Sequence, residues 1–369
     1  MKVLLCSTSR KFLLALVVII IITFGYWQSN FHEHFLESTS SKKKLIFIIS
    51  SGRSGSSLLV EMFNKFDDEF LYLFEPVHAV QSYFNSNVGD YNNRTHMLAE
   101  EKSEFLKDII ACKYRPRNDK YLALINHPKD KMTFMQKLYK NYKCPDSKCK
   151  VKLVINSKVM NQVCQEYKNH HIVVKELYIR FPYAEPSSLS YLGIYAGNRD
   201  FYLLHLVRDP RAVVNSHKKL NWFFGSNESL YISRLCSIRD SVLQQFTKIQ
   251  NKVSQRIPLL NVRYEDLPHS AQRLSNFLGL EHLERNFNDF LTEKTKTKSN
   301  NGAKDPYSTK SRNIKEVLDK WRKQLPYSLV DLIQYHCKYS MEMLGYKVAM
   351  NKSEMKNLEI DLVKPSTIF

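Results

Sequence analysis

The chain has 369 residues, enough for one large domain or two small ones. Hydrophobic residues make up 43% and charged residues 25%, a globular balance that excludes disordered and fibrous classes. Lysine plus arginine total 55 against 36 aspartate plus glutamate, a formal charge of +19. That excess calls for polyanionic partners: nucleic acid, anionic lipid, nucleotide phosphate or acidic polysaccharide.

At the N-terminus, Lys2, Arg10 and Lys11 precede an apolar run from Phe12 to Trp27. The run is near the lower limit of a membrane span, and Tyr26-Trp27 suits an interface. No A-x-A-like cleavage site follows, which argues against a signal peptide. The expected organisation is a cytosolic tail (1–11), a transmembrane signal-anchor (12–27) and a short polar stem (28–41). A lumenal body (42–348) and a C-terminal tail (349–369) follow. Sequons at Asn93, Asn227 and Asn351 fit that compartment. So do the cysteines beyond Cys6: Cys112, Cys144, Cys149, Cys164, Cys236 and Cys337 can form disulfides there, with the pairing left open. Cys144 and Cys149 are too far apart for C-x-x-C and no paired histidines accompany them, so no metal site is expected.

Along the body, Leu45–Ile49 is a continuous apolar run suited to a strand buried on both faces. Ser50-Ser51-Gly52-Arg53-Ser54-Gly55 breaks it. A helix starts at Ser56, with a hydroxyl residue expected as its cap. Phe70–Phe74 reads as a second strand, stopped by Glu75-Pro76. Residues 81–170 are polar, with helical patches over Thr95–Cys112 and Lys131–Tyr142. His171–Lys175 and Phe201–Val207 are further strands. The latter runs into Arg208-Asp209-Pro210, where Asp209 can cap a helix whose first residue is Pro210.

Leu235, Ile238, Val242, Phe246 and Ile249 mark an amphipathic helix over about 229–253. Leu259–Val262 is a last strand. Leu274, Phe277 and Leu278 belong to a helix ended by Gly279. Residues 292–312 read as a polar, mobile loop. Apolar stripes over 314–325 and 329–344, the second closed by Gly345, predict two more helices. The alternation indicates an α/β domain with a mainly parallel sheet flanked by helices, preceded by one transmembrane helix. Ligands of such sheets bind at the carboxyl ends of the strands.

Both candidate anion sites fall at such ends. In the first, a small-residue loop and a helix N-terminus aim backbone N–H groups and a dipole at one point, and Arg53 adds a full charge. The loop has no Gly-Lys pair and lacks the Walker spacing, so a P-loop NTPase is disfavoured. In the second, RDPRAVVNS, Arg208 at a strand end and Ser216 two helical turns beyond Asp209 can clamp a phosphate.

Together, GRSGSS and LVRDPRAVVNS resemble the two cofactor motifs of the Golgi carbohydrate 6-O-sulfotransferases. That family acts on galactose, N-acetylgalactosamine or N-acetylglucosamine. The resemblance extends to FLYLFEPVHAVQ (70–81), RYEDL (263–267) and KWRKQL…C…MLGY (320–346), and is poor over 82–170. It implies the co-substrate 3′-phosphoadenosine 5′-phosphosulfate (PAPS). Arg53, Ser54, Gly55, Ser56 and Ser57 would cradle the 5′-phosphosulfate, and Arg208 and Ser216 would hold the 3′-phosphate. It also implies a glycan acceptor (glycosaminoglycan or glycoprotein), a type II Golgi membrane protein, and no nucleic-acid partner. Arg53 stands where cytosolic sulfotransferases carry lysine, and its guanidinium is expected to take part in catalysis.

In-line sulfuryl transfer to a sugar hydroxyl needs a nearby base. Glu75 is the candidate, since Golgi sulfotransferases commonly use a glutamate. His78 is the rival, and an ion pair between Glu75 and Arg53 is the structural alternative. Lys175 and Arg180 at the third strand's end could meet donor or acceptor sulfates. Ser308, Lys310 and Arg312 lie where relatives close over the nucleotide. The competing functions are a non-catalytic glycan-binding protein with this fold and a nucleotide-dependent kinase.

Overall fold

The computed structural model describes residues 42–88, 93–125, 132–141, 155–181, 193–223, 227–251, 257–296 and 314–365. The expected span (12–27), Cys144, Cys149 and the loop residues Ser308, Lys310 and Arg312 lie outside them. Among the described residues no helix is long and apolar enough to cross a membrane.

From Lys43 onward the chain forms one compact unit. Five strands build its sheet: β1 (Lys44–Ser50), β2 (Phe70–Phe74), β3 (His171–Leu177), β4 (Asp200–Val207) and β5 (Leu259–Arg263). Their order is β2-β3-β1-β4-β5, and every pairing is parallel. All residues of β1, β2 and β3 are buried, which explains why these strands read as unbroken apolar runs. Each of the five expected strands is present, longer than expected by up to two residues.

The helices follow the sequence less evenly. The long helix Glu228–Asn251 and the helix Ala271–Leu278, closed by left-handed Gly279 (φ 59°), agree with the apolar periodicity. The stripe over 314–325 is two short helices, Ile314–Leu318 and Lys320–Gln324. The stripe over 329–344 is likewise split, into Tyr327–His336 and Lys338–Met343. The polar stretch from 292 is helical up to Lys296. A helix that the sequence did not signal, Val77–Asn87, begins immediately after Pro76.

Residues 349–365 pack against the body. Ala349, Met355 and Leu362 are buried in a second apolar cluster with Trp321, Ile333 and Val214. Arg322, itself buried, donates to the carbonyls of Met355 (2.8 Å) and Ile360 (3.0 Å) and so draws the segment in. Its buried apolar residues, Ala349, Met355 and Leu362, stand six and seven positions apart and so mark no continuous helical or strand face.

Two disulfides are formed among the described cysteines, Cys112–Cys164 and Cys236–Cys337. The second ties the long helix to the C-terminal helices across 101 residues, with both cysteines fully buried. Replacing Cys236 and Cys337 together by alanine is expected to lower stability by about 2–5 kcal/mol. A non-reducing thermal melt checks this, and an unchanged midpoint would mean that the bond contributes nothing.

Candidate active site

The loop after β1 is shaped by its own hydroxyls and by two left-handed residues. Ser54 is fully buried, and its hydroxyl is hydrogen-bonded to that of Ser51, so its side chain builds the loop. Arg53 (φ 65°) and Gly55 (φ 87°) turn the backbone sharply on either side of it. A Cβ at Gly55 would lie 2.2 Å from the Tyr264 ring, so glycine is required there by space as well as by conformation. Gly55, and not the expected hydroxyl residue, caps the helix Ser56–Lys65, with no side-chain cap bond. The first-turn N–H groups at Ser56 and Ser57 therefore form a donor cluster at the positive end of a ten-residue helix.

The second motif lies directly against this loop. Arg53 Nε donates to Ser216 Oγ at 3.0 Å, across 163 positions of sequence. Arg208 Nη1 donates to the carbonyl of Arg53 at 3.2 Å, and the guanidinium stacks 4.5 Å above the Tyr264 ring. Arg208 is 9% exposed, and its Nε is buried without a hydrogen-bond partner among the described residues. An orphaned donor on a buried cation fits an anionic ligand.

Asp209 and Arg211 have a different task. Asp209 caps the helix Pro210–Lys219 by accepting from Arg211 N (2.9 Å) and holds the Arg211 side chain at 2.7 Å. Arg211 is fully buried over Trp321 and donates to Gln334 and to the Lys347 carbonyl. Glu265 accepts from Asp209 N (3.0 Å) and from the Tyr346 hydroxyl (2.9 Å). The RYEDL segment thus bolts the Arg208 strand end to the C-terminal unit.

His217, next to Ser216, fixes the loop from the other side. Its Nε2 is 3.2 Å from the Gly52 carbonyl, which can only accept, so Nε2 carries the proton. Nδ1 then accepts from the Tyr231 hydroxyl at 2.9 Å. Burial pulls this imidazole down to about 4; the Gly52 bond opposes that shift and the Arg53 charge adds to it. His217 therefore stays neutral at physiological pH and acts as a fixed strut.

Glu75 follows β2, with β3 lying between it and the β1 loop. Two strand spacings are about 10 Å. Its φ is 43°, uncommon for a residue with a side chain, and its N–H is held by the Lys175 carbonyl at 2.7 Å. One carboxylate oxygen takes Lys175 Nζ and the other takes Arg180 Nη1. Burial alone would raise its pKa, but the two cations outweigh burial and hold it at about 2. The expected alternative partner was Arg53; these two residues of the β3 end are the partners found. Lys175 is only 2% exposed, so its charge is turned into the protein and not to solvent. It also lies 4.7 Å above the Phe74 ring. His78, the rival base, is the second residue of the new helix, with Nδ1 3.5 Å from Ser82 Oγ.

Arg53, Gly55, Ser56, Ser57, Arg208 and Ser216 are therefore assembled at the β1 and β4 ends. Glu75 stands apart in a charge cluster at the β2 and β3 ends. Sequence reasoning missed Tyr264, His217 and Glu176. Tyr264 lay inside a quoted motif, but nothing marked its ring as the floor beneath Gly55. Glu176 was visible as a charge ending an apolar strand, yet its complete burial was not. Among the described residues no group of three or more His, Cys, Asp or Glu side chains is placed to hold a metal ion.

A parallel sheet with two arginine-bearing loops in direct contact at its carboxyl edge defines an α/β protein of the kind that takes ligands at that edge. Sulfotransferase domain is the family that matches residues 43–345, and the chain belongs to it. It is a PAPS-dependent enzyme. Carbohydrate sulfotransferase 1 of Danio rerio is 26% identical over 361 residues, spanning 89% of this chain and 84% of that protein. Carbohydrate sulfotransferase 4 of Mus musculus is 26% identical over 382 residues, 95% of this chain and 94% of that one. Carbohydrate sulfotransferase 6 of Homo sapiens is 24% identical over 352 residues, 87% and 85% respectively.

Two outcomes are expected from this geometry. Gly55→Ala should weaken binding of 3′-phosphoadenosine 5′-phosphate by at least about 10-fold, through backbone strain and the Tyr264 clash. Calorimetry that found unchanged affinity would overturn the cradle. The Glu75 carboxylate is held below its usual range, so its stabilisation is fully present above about pH 4.5 and disappears as pH falls through about 2. The stability gap between wild type and Glu75→Gln should therefore narrow over that window in acid titrations.

Proposed function

We propose that this protein transfers the sulfuryl group of PAPS to a sugar hydroxyl, the 6-position of galactose, N-acetylgalactosamine or N-acetylglucosamine. The acceptor is a glycan of the glycosaminoglycan or glycoprotein kind, and the compartment is the Golgi lumen, with residues 12–27 as the anchor. The observation that carries the donor side is the direct bond from Arg53 to Ser216, which makes two distant anion motifs one clamp. The carbohydrate sulfotransferases named above support the acceptor class. Exposed sequon asparagines and two disulfides are in keeping with a lumenal body.

On this reading the loop N–H groups and Arg53 hold the 5′-phosphosulfate, and Arg208 and Ser216 hold the 3′-phosphate. Catalysis is then mostly positioning and charge stabilisation, as in phosphoryl transfer. Glu75 takes the proton of the attacking hydroxyl. While both Lys175 and Arg180 bind its carboxylate, Glu75 is a poor base. Sulfuryl oxygens compete for those cations, and a carboxylate released from one of them regains basicity.

The test is the purified full chain, sulfur-35-labelled PAPS and a panel of desulfated keratan, chondroitin and mucin-type glycans, with product positions mapped by mass spectrometry. Labelled 6-O-sulfated product is expected, and no label in any glycan would sink the reading. Glu75→Gln should lower kcat by about 100-fold or more while leaving nucleotide affinity intact. Near-normal turnover would remove Glu75 as base and turn attention to His78. Arg208→Ala should weaken 3′-phosphoadenosine 5′-phosphate by about 10–100-fold more than adenosine 5′-phosphosulfate, which lacks the 3′-phosphate.

A further inference from the structure

We propose that Glu176 is a positioning residue for this reaction: from inside the sheet it caps the helix Val77–Asn87 and thereby fixes Glu75 in its left-handed conformation. The inference rests on the transferase reading for its kinetic arm, but its structural arm stands without it.

Glu176 is fully buried on β3, between Lys175 and Leu177. Its Oε2 accepts from Val77 N at 2.9 Å and its Oε1 from Leu177 N at 2.9 Å. The residue at the helix cap, Pro76, supplies no side-chain bond. Proline also has no N–H, and the His78 N–H already bonds the Glu75 carbonyl at 3.0 Å. The Val77 N–H is thus the first donor of the helix, and the Glu176 carboxylate satisfies it from another strand.

Two consecutive β3 residues therefore shape the turn that carries the candidate base. The Lys175 carbonyl holds Glu75 N, the Lys175 amine holds the Glu75 carboxylate, and Glu176 holds the helix two residues on. The turn itself is strained, since Glu75 has φ 43°. A strained turn persists only where its flanks are fixed, and the Val77 bond is the flank on the helix side.

The surroundings give this cap a charge that responds to pH. Burial pushes Glu176 up to about 7; Arg180, 3.7 Å from Oε1, opposes this, the Glu75 carboxylate adds to it and Lys175 lowers it. Tyr72 on β2 and Lys102 on the helix Arg94–Ala111 also face it, the Lys102 amine being brought down to about 8 by burial. As an anion Glu176 accepts from two backbone N–H groups. Protonated, it would turn an O–H donor toward one of those donors, so the positioned form is the anion. Glu75 titrates far too low to govern turnover near neutrality.

The experiment uses the full chain and the variants Glu176→Gln and Glu176→Asp. Hydrogen exchange read on peptides covering 74–82 is expected to show about 10-fold or greater loss of protection in Glu176→Gln, with peptides of β1 and β4 unchanged. With the acceptor glycan labelled by wild type, kcat should fall about 10-fold or more, and 3′-phosphoadenosine 5′-phosphate affinity should stay within about twofold. Wild-type kcat should rise through about pH 7, and that limb should be absent in Glu176→Gln. Glu176→Asp, one methylene shorter, should keep a limb but at reduced kcat. A merely structural acid would lower the melting point without removing the limb. Unchanged exchange over 74–82 in both variants, or an unchanged pH limb in Glu176→Gln, would overturn the proposal. Altered exchange in a chain that labels no glycan would instead uphold the cap and sink the transferase reading.

Discussion

The position of β1 between β3 and β4 is the constraint on which the site depends. The chain leaving β1 connects to β2 on one side of the sheet and the chain leaving β4 connects to β5 on the other, so a crevice opens at the β1/β4 edge. The loop 51–55 enters this crevice, and β4, paired in register with β1, delivers Arg208 beside it. Ser50 lies opposite Leu206, so Arg208 emerges two residues beyond the pairing, level with the loop. The bonds from Arg53 to Ser216 and from Arg208 to the Arg53 carbonyl follow from that register. Shifting the register would turn every β4 side chain to the other face and remove both.

That edge divides into two electrostatic halves. On the β1/β4 side, cations are aimed outward from a frame whose own charges are closed off: Arg211 is fully satisfied by Asp209, Gln334 and Lys347. Arg208 is not, since one of its donors has no partner among the described residues. The contrast within a single motif, RDPR, separates the arginine that is available to an anion from the one that holds the frame. On the β2/β3 side the charges are mutually engaged, with two carboxylates, Glu75 and Glu176, and two cations, Lys175 and Arg180, brought together from the ends of two strands. Buried pairs of this kind lose much of their attraction to desolvation, so they are better explained by what they position than by what they stabilise.

The sheet and the residues of the proposed anion clamp were legible in the sequence for the same reason. Strands buried on both faces must be continuous apolar runs, and an anion loop needs small residues next to a cation, so β1 to β5, Arg53, Arg208 and Ser216 stood out. The helix Val77–Asn87 did not, because its cap is supplied by Glu176, 99 positions away, and no local signal exists for a cap borrowed from another strand. The packed segment after 348 was hidden likewise: the Arg322 guanidinium holds it by bonds to backbone carbonyls, which no side-chain pattern reveals. Gly55 was read as a loop glycine, while its second reason, the Tyr264 ring, comes from a strand end more than 200 positions later.

These hidden contacts share a form: a charged or aromatic side chain from one element sets the backbone of another. Glu176 on Val77, Tyr264 on Gly55 and His217 on Gly52 each act this way. Their effect is to make loop geometry depend on the sheet, which is rigid, and not on the loops' own preferences. An enzyme that works by positioning and charge stabilisation gains most from that arrangement, because reacting groups must already be in place when the donor binds. On the proposed reading the same logic extends to basicity. Lys175 and Arg180 hold the Glu75 carboxylate in place and also hold it acidic, so its position is set before binding and its basicity only when an anion competes for those cations. Premature protonation is thereby avoided: a carboxylate with a pKa of about 2 stays ionised throughout the physiological range.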